Sequence, residues 1–454
     1  MSSLWWLIQK DDNRLEKTTA SFNPRRKSIL TMPCIYTARY LLPGNAPLID
    51  GGALLDLDGR IGEIAPLSQL RRAHPGVSII DFGDALLLPA LVNAHTHLEL
   101  TDYPRWVELA REHQHPASFV EWIQQVIRVK HTVPQENYPD SLGRGIDLCL
   151  QAGTGAVGDI LSYLPARKAY HGCPLRGRIY LEALGQDPKF IADTLSKIDT
   201  VLREEAVGGL ELGLSPHSPY TTSSTCLAQL FAKCREEKLS CAMHVAESPA
   251  EIDFLLEGRG EISNQLYPFV GWQTYLGHIP GLRSIAYLHS LGGLQQYNLL
   301  VHGVQLNQGE IEQIAAAGCS VVLCPRSNAR LDVGKAPVTE LLRAGVNLAL
   351  GTDSLASCDS LSIWDELAFA ASWFAGQVDA PALFRMATAG GAAALGLGQT
   401  AGTLRPGADS SFQVLRPSSL PAADDLYDFL VAPGRGKELV QLYLGGTAVL
   451  PGRA

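Results

Sequence analysis

The chain has 454 residues, 46% of them hydrophobic, enough for one large domain and a smaller one. Lys and Arg number 37 against 46 Asp and Glu, a net charge of −9, which argues against a nucleic-acid backbone or an anionic membrane surface as the main partner. No apolar run approaches the roughly 18 residues of a membrane span. The nine cysteines form no CxxC pair and read as free thiols of a reducing, cytoplasmic compartment.

In chain order, residues 1–31 hold a short apolar patch, SLWWLI, and then a polar stretch with neither helix nor strand period. They lack the basic start and small-residue end of a secretory signal. They read as a disordered extension, with Met32 as an alternative start. Residues 32–88 are strand-rich and punctuated by glycine: IYTARYLL, ALLDLDGRIGEIA with its Asp-Gly turn, then VSIIDFGDALLL. The same texture returns over 400–454 in SFQVLR and LVQLYLGGTAVL. Neither end can bury an apolar face alone, so the two are expected to build one small β-sandwich domain.

Between them, over 89–399, apolar strands alternate with helical patterns. The strand candidates are ALLLPALVNAHTH, GTGAVGDI, GRIYLEAL, LELGLSPH, SCAMHVAE, NLLVHGVQL, CSVVLCPRS and VNLALGTDS. Helical periods fall in FVEWIQQVIRV, IADTLSKIDTVLREEA, STCLAQLFAKCREEK and QGEIEQIAAAG. Eight such units in an α/β chain predict a (β/α)8 TIM-like barrel. The segment between Ser248 and Asn298 is longer than one helix needs and is expected to carry an insertion near the barrel mouth.

The polar residues fall at strand ends. His95 and His97 close the first strand and, at i and i+2, face one side. Alone, an HxH pair is more often two ordinary histidines. Here His217 ends the fourth strand, His244 the fifth with Glu247 after it, His302 the sixth and Asp353 the eighth, so five of eight strand ends carry such a group. In this architecture those ends converge on the face where active sites sit. His95, His97, His244 and Asp353 offer three nitrogens and an oxygen, a set suited to one divalent ion such as zinc, iron or manganese. Such an ion makes water a nucleophile near neutral pH, with Asp353 placed to take its proton. Glu247 can protonate a ring nitrogen or a leaving amine, His302 can hold the attacking oxygen, and His217 is expected to contact substrate. Ser354 and Asp359 are candidates to orient Asp353. Trp106 and Trp122 read either as pocket wall or as core, with core the safer reading.

HTH, PHSPYT, HVAES, VHG and GTDS, in this order and spacing, resemble the amidohydrolase superfamily from about Met32 to the C-terminus. They look like its mononuclear aminohydrolase branch, which includes cytosine deaminases, adenosylhomocysteine and methylthioadenosine deaminases, and triazine hydrolases. The resemblance implies that His95, His97, His244 and Asp353 bind the metal, that Glu247 shuttles protons and that His302 assists at the reacting centre. The branch with two metals bridges them through a lysine after the fourth strand; LELGLSPHSPY has none, which implies one metal. The adenosylhomocysteine-type members carry a ribose-gripping glutamate on the helix after the first strand, a position that falls here near Lys130 or His131. Glu99 in HTHLEL is unusual for that group; it reads either as a substrate contact or as a solvated loop carboxylate. HTHLEL, PRSN and GTDSLASCDSLSIWDEL look most like deaminases of aminodeoxyfutalosine, whose adenine and benzoate would suit a nearby arginine. Arg326 and Arg330 then read either as carboxylate ligands or as structural ion pairs.

The resemblance therefore implies a hydrolytic deaminase of a small molecule. A chlorohydrolase or amide-type C–N hydrolase of the same fold is the alternative, and a non-catalytic metal-binding protein the remote one. Relatives often dimerise, so a homodimer is the expected assembly.

Overall fold

Apolar runs without polar alternation need cover on both faces, and these runs find it. In the computed structural model, which describes residues 32–112, 115–204, 208–277 and 279–450, they form eight strands. The first 31 residues, and the extension expected there, lie outside the described residues. The strands are β1 (Leu91–Thr96), β2 (Thr154–Leu161), β3 (Arg176–Ala183), β4 (Gly209–Pro216), β5 (Ala242–Val245), β6 (Leu299–His302), β7 (Ser320–Leu323) and β8 (Asn347–Leu350). Every residue of β1, β2, β5, β6 and β7 is buried.

Strands β1 to β4 pair in chain order as one parallel sheet, and β5 to β8 as a second. Single parallel bridges link the two: Leu214 of β4 with Cys241, and Thr96 of β1 with Asp353. The two sheets therefore meet at both seams.

Helices lie between the strands, among them α1 (Phe119–Thr132), α2 (Pro188–Leu202), α3 (Ser224–Glu237) and α4 (Gln308–Ala317). Local chemistry sets their ends. Helix α2 begins ahead of its apolar pattern because Asp187 accepts from the Lys189 and Phe190 N–H groups and Pro188 fills the first turn. Helix α4 has a reciprocal cap between Asn307 and Glu310 and stops at Gly318, whose φ of 70° suits glycine.

The first predicted strand, ALLLPALVNAHTH, divides in two. Leu86–Pro89 pairs with Phe412–Leu415 and Tyr40–Leu41, whereas β1 pairs with β2. Pro89 has no N–H for a ladder, and the chain leaves one sheet there and enters the other. Leu86–Pro89 sits inside a six-stranded sheet that takes strands from both chain ends, with order Thr447–Ala448, Leu439–Leu444, Phe412–Leu415, Leu86–Pro89, Tyr40–Leu41, Ile49–Asp50. A four-stranded sheet holds Arg60–Pro66, Gly52–Leu57, Cys34–Thr37 and Ser78–Asp81. Its hairpin turns at Asp58 and Gly59, both with positive φ (53° and 80°), as a two-residue turn between twisted strands requires. Tyr36 from this sheet packs on Phe412 and Tyr443 of the other, at ring distances of 5.0 and 4.9 Å.

The segment after β5 is helical, with Pro249–Glu257, Tyr267–Val270 and Ser284–Ser290. It lays Leu266, Val270 and Trp272 against the cavity at the strand ends, as an insertion near the mouth would. Among the described residues, no helix is long and apolar enough to cross a membrane.

Candidate metal centre and substrate cavity

The side chains that sequence spacing places at strand ends do meet. His95 Nε2 lies 3.5 Å and His97 Nε2 3.6 Å from Asp353 Oδ1. His97 Nε2 lies 3.2 Å from His244 Nε2. Donor atoms of His95, His97 and Asp353 fall within 4.8 Å of one another, as do those of His95, His244 and His302. Both ring nitrogens of His95 are buried without a hydrogen-bond partner. A neutral imidazole always has one N–H and one lone pair to satisfy, and leaving them bare in the interior is costly. A cation among these donors would engage that lone pair, so the residues present fit a divalent ion.

Neighbours fix the donors. His244 Nδ1 donates to the His217 carbonyl oxygen (2.8 Å), which turns its Nε2 lone pair toward His97. Asp353 Oδ2 accepts from Ser327 Oγ (2.7 Å) and Ser357 Oγ (2.6 Å), leaving Oδ1 for the histidines. The expectation that Ser354 and Asp359 orient Asp353 is corrected here. Ser354 Oγ accepts from the Ala356 N–H, and Asp359 is ion-paired with Arg326. Ala246, His302 and Asp353 all have positive φ (51°, 73° and 59°), so three non-glycine residues at strand ends are held in the left-handed region.

Burial sets the protonation states. It pushes His97 and His244 well below the usual histidine range, which keeps them neutral. It raises Glu247 well above the carboxylate range, with the Asp353 and Glu251 charges adding to the effect. Burial also favours protonated Asp353, but the close approach of His95 at 3.5 Å, with His302 and His97 around it, holds its carboxyl well below the usual range. His302, lowered to about 4 by burial, donates Nδ1–H to Asn328 Oδ1 (2.9 Å). Its bare Nε2 lies 3.5 Å from Glu247 Oε1. The turn carrying Glu247 is held by Glu251, which accepts the Ala246 and Glu247 N–H groups.

These groups floor a cavity of about 1300 Å³, including its open mouth. Phe119, Trp122, Phe190 and Trp272 line it, as do His217 and Glu247. His217 is anchored through Nδ1 to Thr221 Oγ1 (2.9 Å). Trp122 is cavity wall rather than core, its Nε1–H donating to the Ala356 carbonyl (3.0 Å), while Trp106 is core. Glu99 also lines the cavity, but it is buried, not solvated. Its oxygens accept from the N–H groups of Ser162 and Tyr163 and from Ser162 Oγ, and Lys130 Nζ stands 3.6 Å away.

Arg326 and Arg330 are not brought to the cavity. The short helix Pro325–Arg330 turns Ser327 and Asn328 inward. Arg326 and Arg330, one helical turn apart, share another face: Arg326 pairs with Asp359, and Arg330 is exposed.

Two cavity residues escaped the sequence reading. Lys130 carries no signal in the sequence beyond standing, with His131, near the position of the ribose-gripping glutamate. Glu182, near the end of β3, looked like part of an apolar strand; its one signal was a lone acid next to the strand's end. Glu182, His217 and His244 also have donor atoms within 4.8 Å. Both His244 nitrogens are committed, Nδ1 to the His217 carbonyl and Nε2 toward His97, so this trio lacks a third donor of its own.

Residues 86–449 match the model of the amidohydrolase family. The chain belongs to that family. Its members are hydrolases acting on carbon–nitrogen bonds. The amidohydrolase is 34% identical to an aminodeoxyfutalosine deaminase of Deinococcus radiodurans, over 72% of this chain and 77% of that one. It is 30% identical to a 5-methylthioadenosine/S-adenosylhomocysteine deaminase of Halobacterium salinarum, over 81% and 80% of the two chains. An adenosine deaminase from Xanthomonas campestris with bound zinc superposes with a TM-score of 0.74 at 25% identity, covering 92% of each chain. The family and the donor set both point to a divalent metal ion in this amidohydrolase.

Proposed function

We propose that the protein is a metal-dependent hydrolytic deaminase that releases ammonia from an aminated purine nucleoside or related heterocycle, with aminodeoxyfutalosine as the candidate substrate. The observation that carries this is the buried Glu247 carboxyl, held protonated 3.5 Å from a bare histidine nitrogen, beside the four metal donors and inside an aromatic cavity. The likeness to named deaminases supports it. We read the two parallel sheets as halves of one (β/α)8 barrel over 89–399, and the strands of 32–88 and 400–454 as one small β-sandwich domain.

On this reading His95, His97, His244 and Asp353 hold the ion. Zinc is the first choice, because three nitrogens and a carboxylate suit it and the Xanthomonas relative contains it. When bound, such an ion supplies Lewis acidity that lets water attack near neutral pH. The aromatic wall takes the planar heterocycle and excludes bulk water. His302 Nε2 accepts a hydrogen bond from the attacking water and orients it. Asp353 Oδ1, free of the two serines, receives a proton. Glu247 delivers its proton to the ring nitrogen or the departing amine, so that ammonia and not amide anion leaves.

The choice of aminodeoxyfutalosine rests on the Deinococcus relative. With both arginines outside the cavity, a substrate carboxylate would meet Lys130, the Lys or Arg on its described wall. The test is ammonia release by metal-reconstituted protein from adenosine, 5-methylthioadenosine, adenosylhomocysteine and aminodeoxyfutalosine. Silence across this panel with metal bound overturns the proposal. Glu247→Gln should lower kcat by about 10²–10⁴-fold with metal content unchanged.

A further inference from the structure

The cavity wall also carries charge that the deamination steps leave unused. Glu182 lines the cavity at the end of β3, is 8% exposed, and its Oε1 has no hydrogen-bond partner. The nearby acid differs in kind: the oxygens of Glu99 are taken by Ser162 and Tyr163, with Lys130 alongside. Lys130 Nζ donates to Ser162 Oγ at 2.8 Å and stands beside Glu99, which ties it to that side of the wall. Glu182 feels the Lys130 charge, but the ammonium pairs with Glu99, and Glu182 has accepting capacity to spare. A buried carboxyl oxygen without a donor is costly unless a ligand supplies one. A carboxylate on the ligand cannot do so, because it has no hydrogen to donate.

We propose that Glu182 is a specificity-determining residue that accepts a hydrogen bond from a neutral donor on the substrate, a hydroxyl or an N–H, and disfavours an anionic group at that position. The ammonium of Lys130, tethered by Ser162 and Glu99, steadies the wall on which Glu182 sits. This assignment rests on the deaminase reading for the identity of the substrate but not for the contact itself.

The experiment pairs variants with donor-deleted ligands on the metal-loaded protein. Glu182→Ala and Glu182→Gln are compared with the parent in kcat/KM for adenosine and its 2′-, 3′- and 5′-deoxy forms. The same comparison is made by calorimetric binding of inosine and its deoxy forms, which bind without turnover. Metal content is measured throughout. Glu182→Ala is expected to weaken adenosine and inosine by about 10–100-fold. Glu182→Gln, which keeps a carbonyl acceptor, should lose less. The penalty should vanish for the one deoxy form that lacks the donor, marking it as a hydroxyl. A penalty confined to the amine-bearing substrates marks it as an N–H. An equal penalty on every ligand, no penalty at all, or loss of metal in Glu182→Ala overturns the assignment. If the parent releases no ammonia yet shows the donor-dependent pattern in binding, the deaminase reading falls and Glu182 keeps its role. Failure of the parent both to turn over and to bind removes both.

Discussion

Ser327 and Ser357 donate to the same oxygen of Asp353, and so decide which oxygen faces the histidines. Removing either hydroxyl leaves the donor set intact but loosens the aim of one member. Ser357→Ala should weaken divalent-ion affinity by about 10–100-fold in a chelator competition, with little change in Tm. A pH prediction belongs at this scale too. Glu366 is buried; its Oε1 accepts the Arg326 N–H, its Oε2 has no partner, and burial raises its pKa to about 8. A carboxyl raised in the folded state binds its proton more tightly folded than unfolded, so its contribution to stability is present at low pH and declines as pH rises toward about 8. Glu366→Gln removes that slope. Its Tm relative to the parent should rise from about pH 6 to about pH 8.5, whereas parallel Tm curves would refute this account. The histidines were legible because each stands out at the end of an apolar run. The serines were not, since nothing in PRSN or DSLAS says which hydroxyl turns toward Asp353.

Strand ends carry the site because apolar runs fix where each strand stops. Eight such runs were legible as strands, and their order on the sheets followed the chain. What sequence could not show was a change of sheet within one apolar stretch, at Pro89, or the direction in which Pro325–Arg330 packs. The first depends on pairing with Phe412–Leu415, the second on contacts of Arg326, Ser327 and Asn328 with Glu366, Asp353 and His302. Gly351, just after β8, is another such contact. A Cβ there would lie 2.8 Å from His95 Cβ and from the His95 carbonyl oxygen, and 3.0 Å from its nitrogen. Backbone cannot yield as a side-chain tip can, so Gly351→Ala should displace His95. The expected result is a lower Tm together with loss of metal affinity. Retention of full metal binding would show that the strand end has slack.

The donor set spans the molecule. His95 and His97 come from β1 and just beyond it, His244 from β5, and Asp353 follows β8, so both parallel sheets and one seam converge on it. An ion that binds only the folded arrangement stabilises it by mass action. Chelation should lower Tm and speed amide exchange at Asp353, whose N–H bonds the His95 carbonyl at 3.1 Å across the seam. Equal exchange with and without metal would disconnect the ion from the seam.

That seam has a consequence for how the chain comes off the ribosome. Thr96 and Asp353 are 257 positions apart, and one of the two partners of Leu86–Pro89 begins only at Phe412. The first sheet must therefore wait with an open edge while most of the polypeptide is still being made. Unpaired edges are where nascent chains associate with one another. Slowing translation downstream of β4 should lengthen that wait and raise the demand for holding chaperones, whereas in the finished molecule that edge is bridged by Thr96 and Asp353.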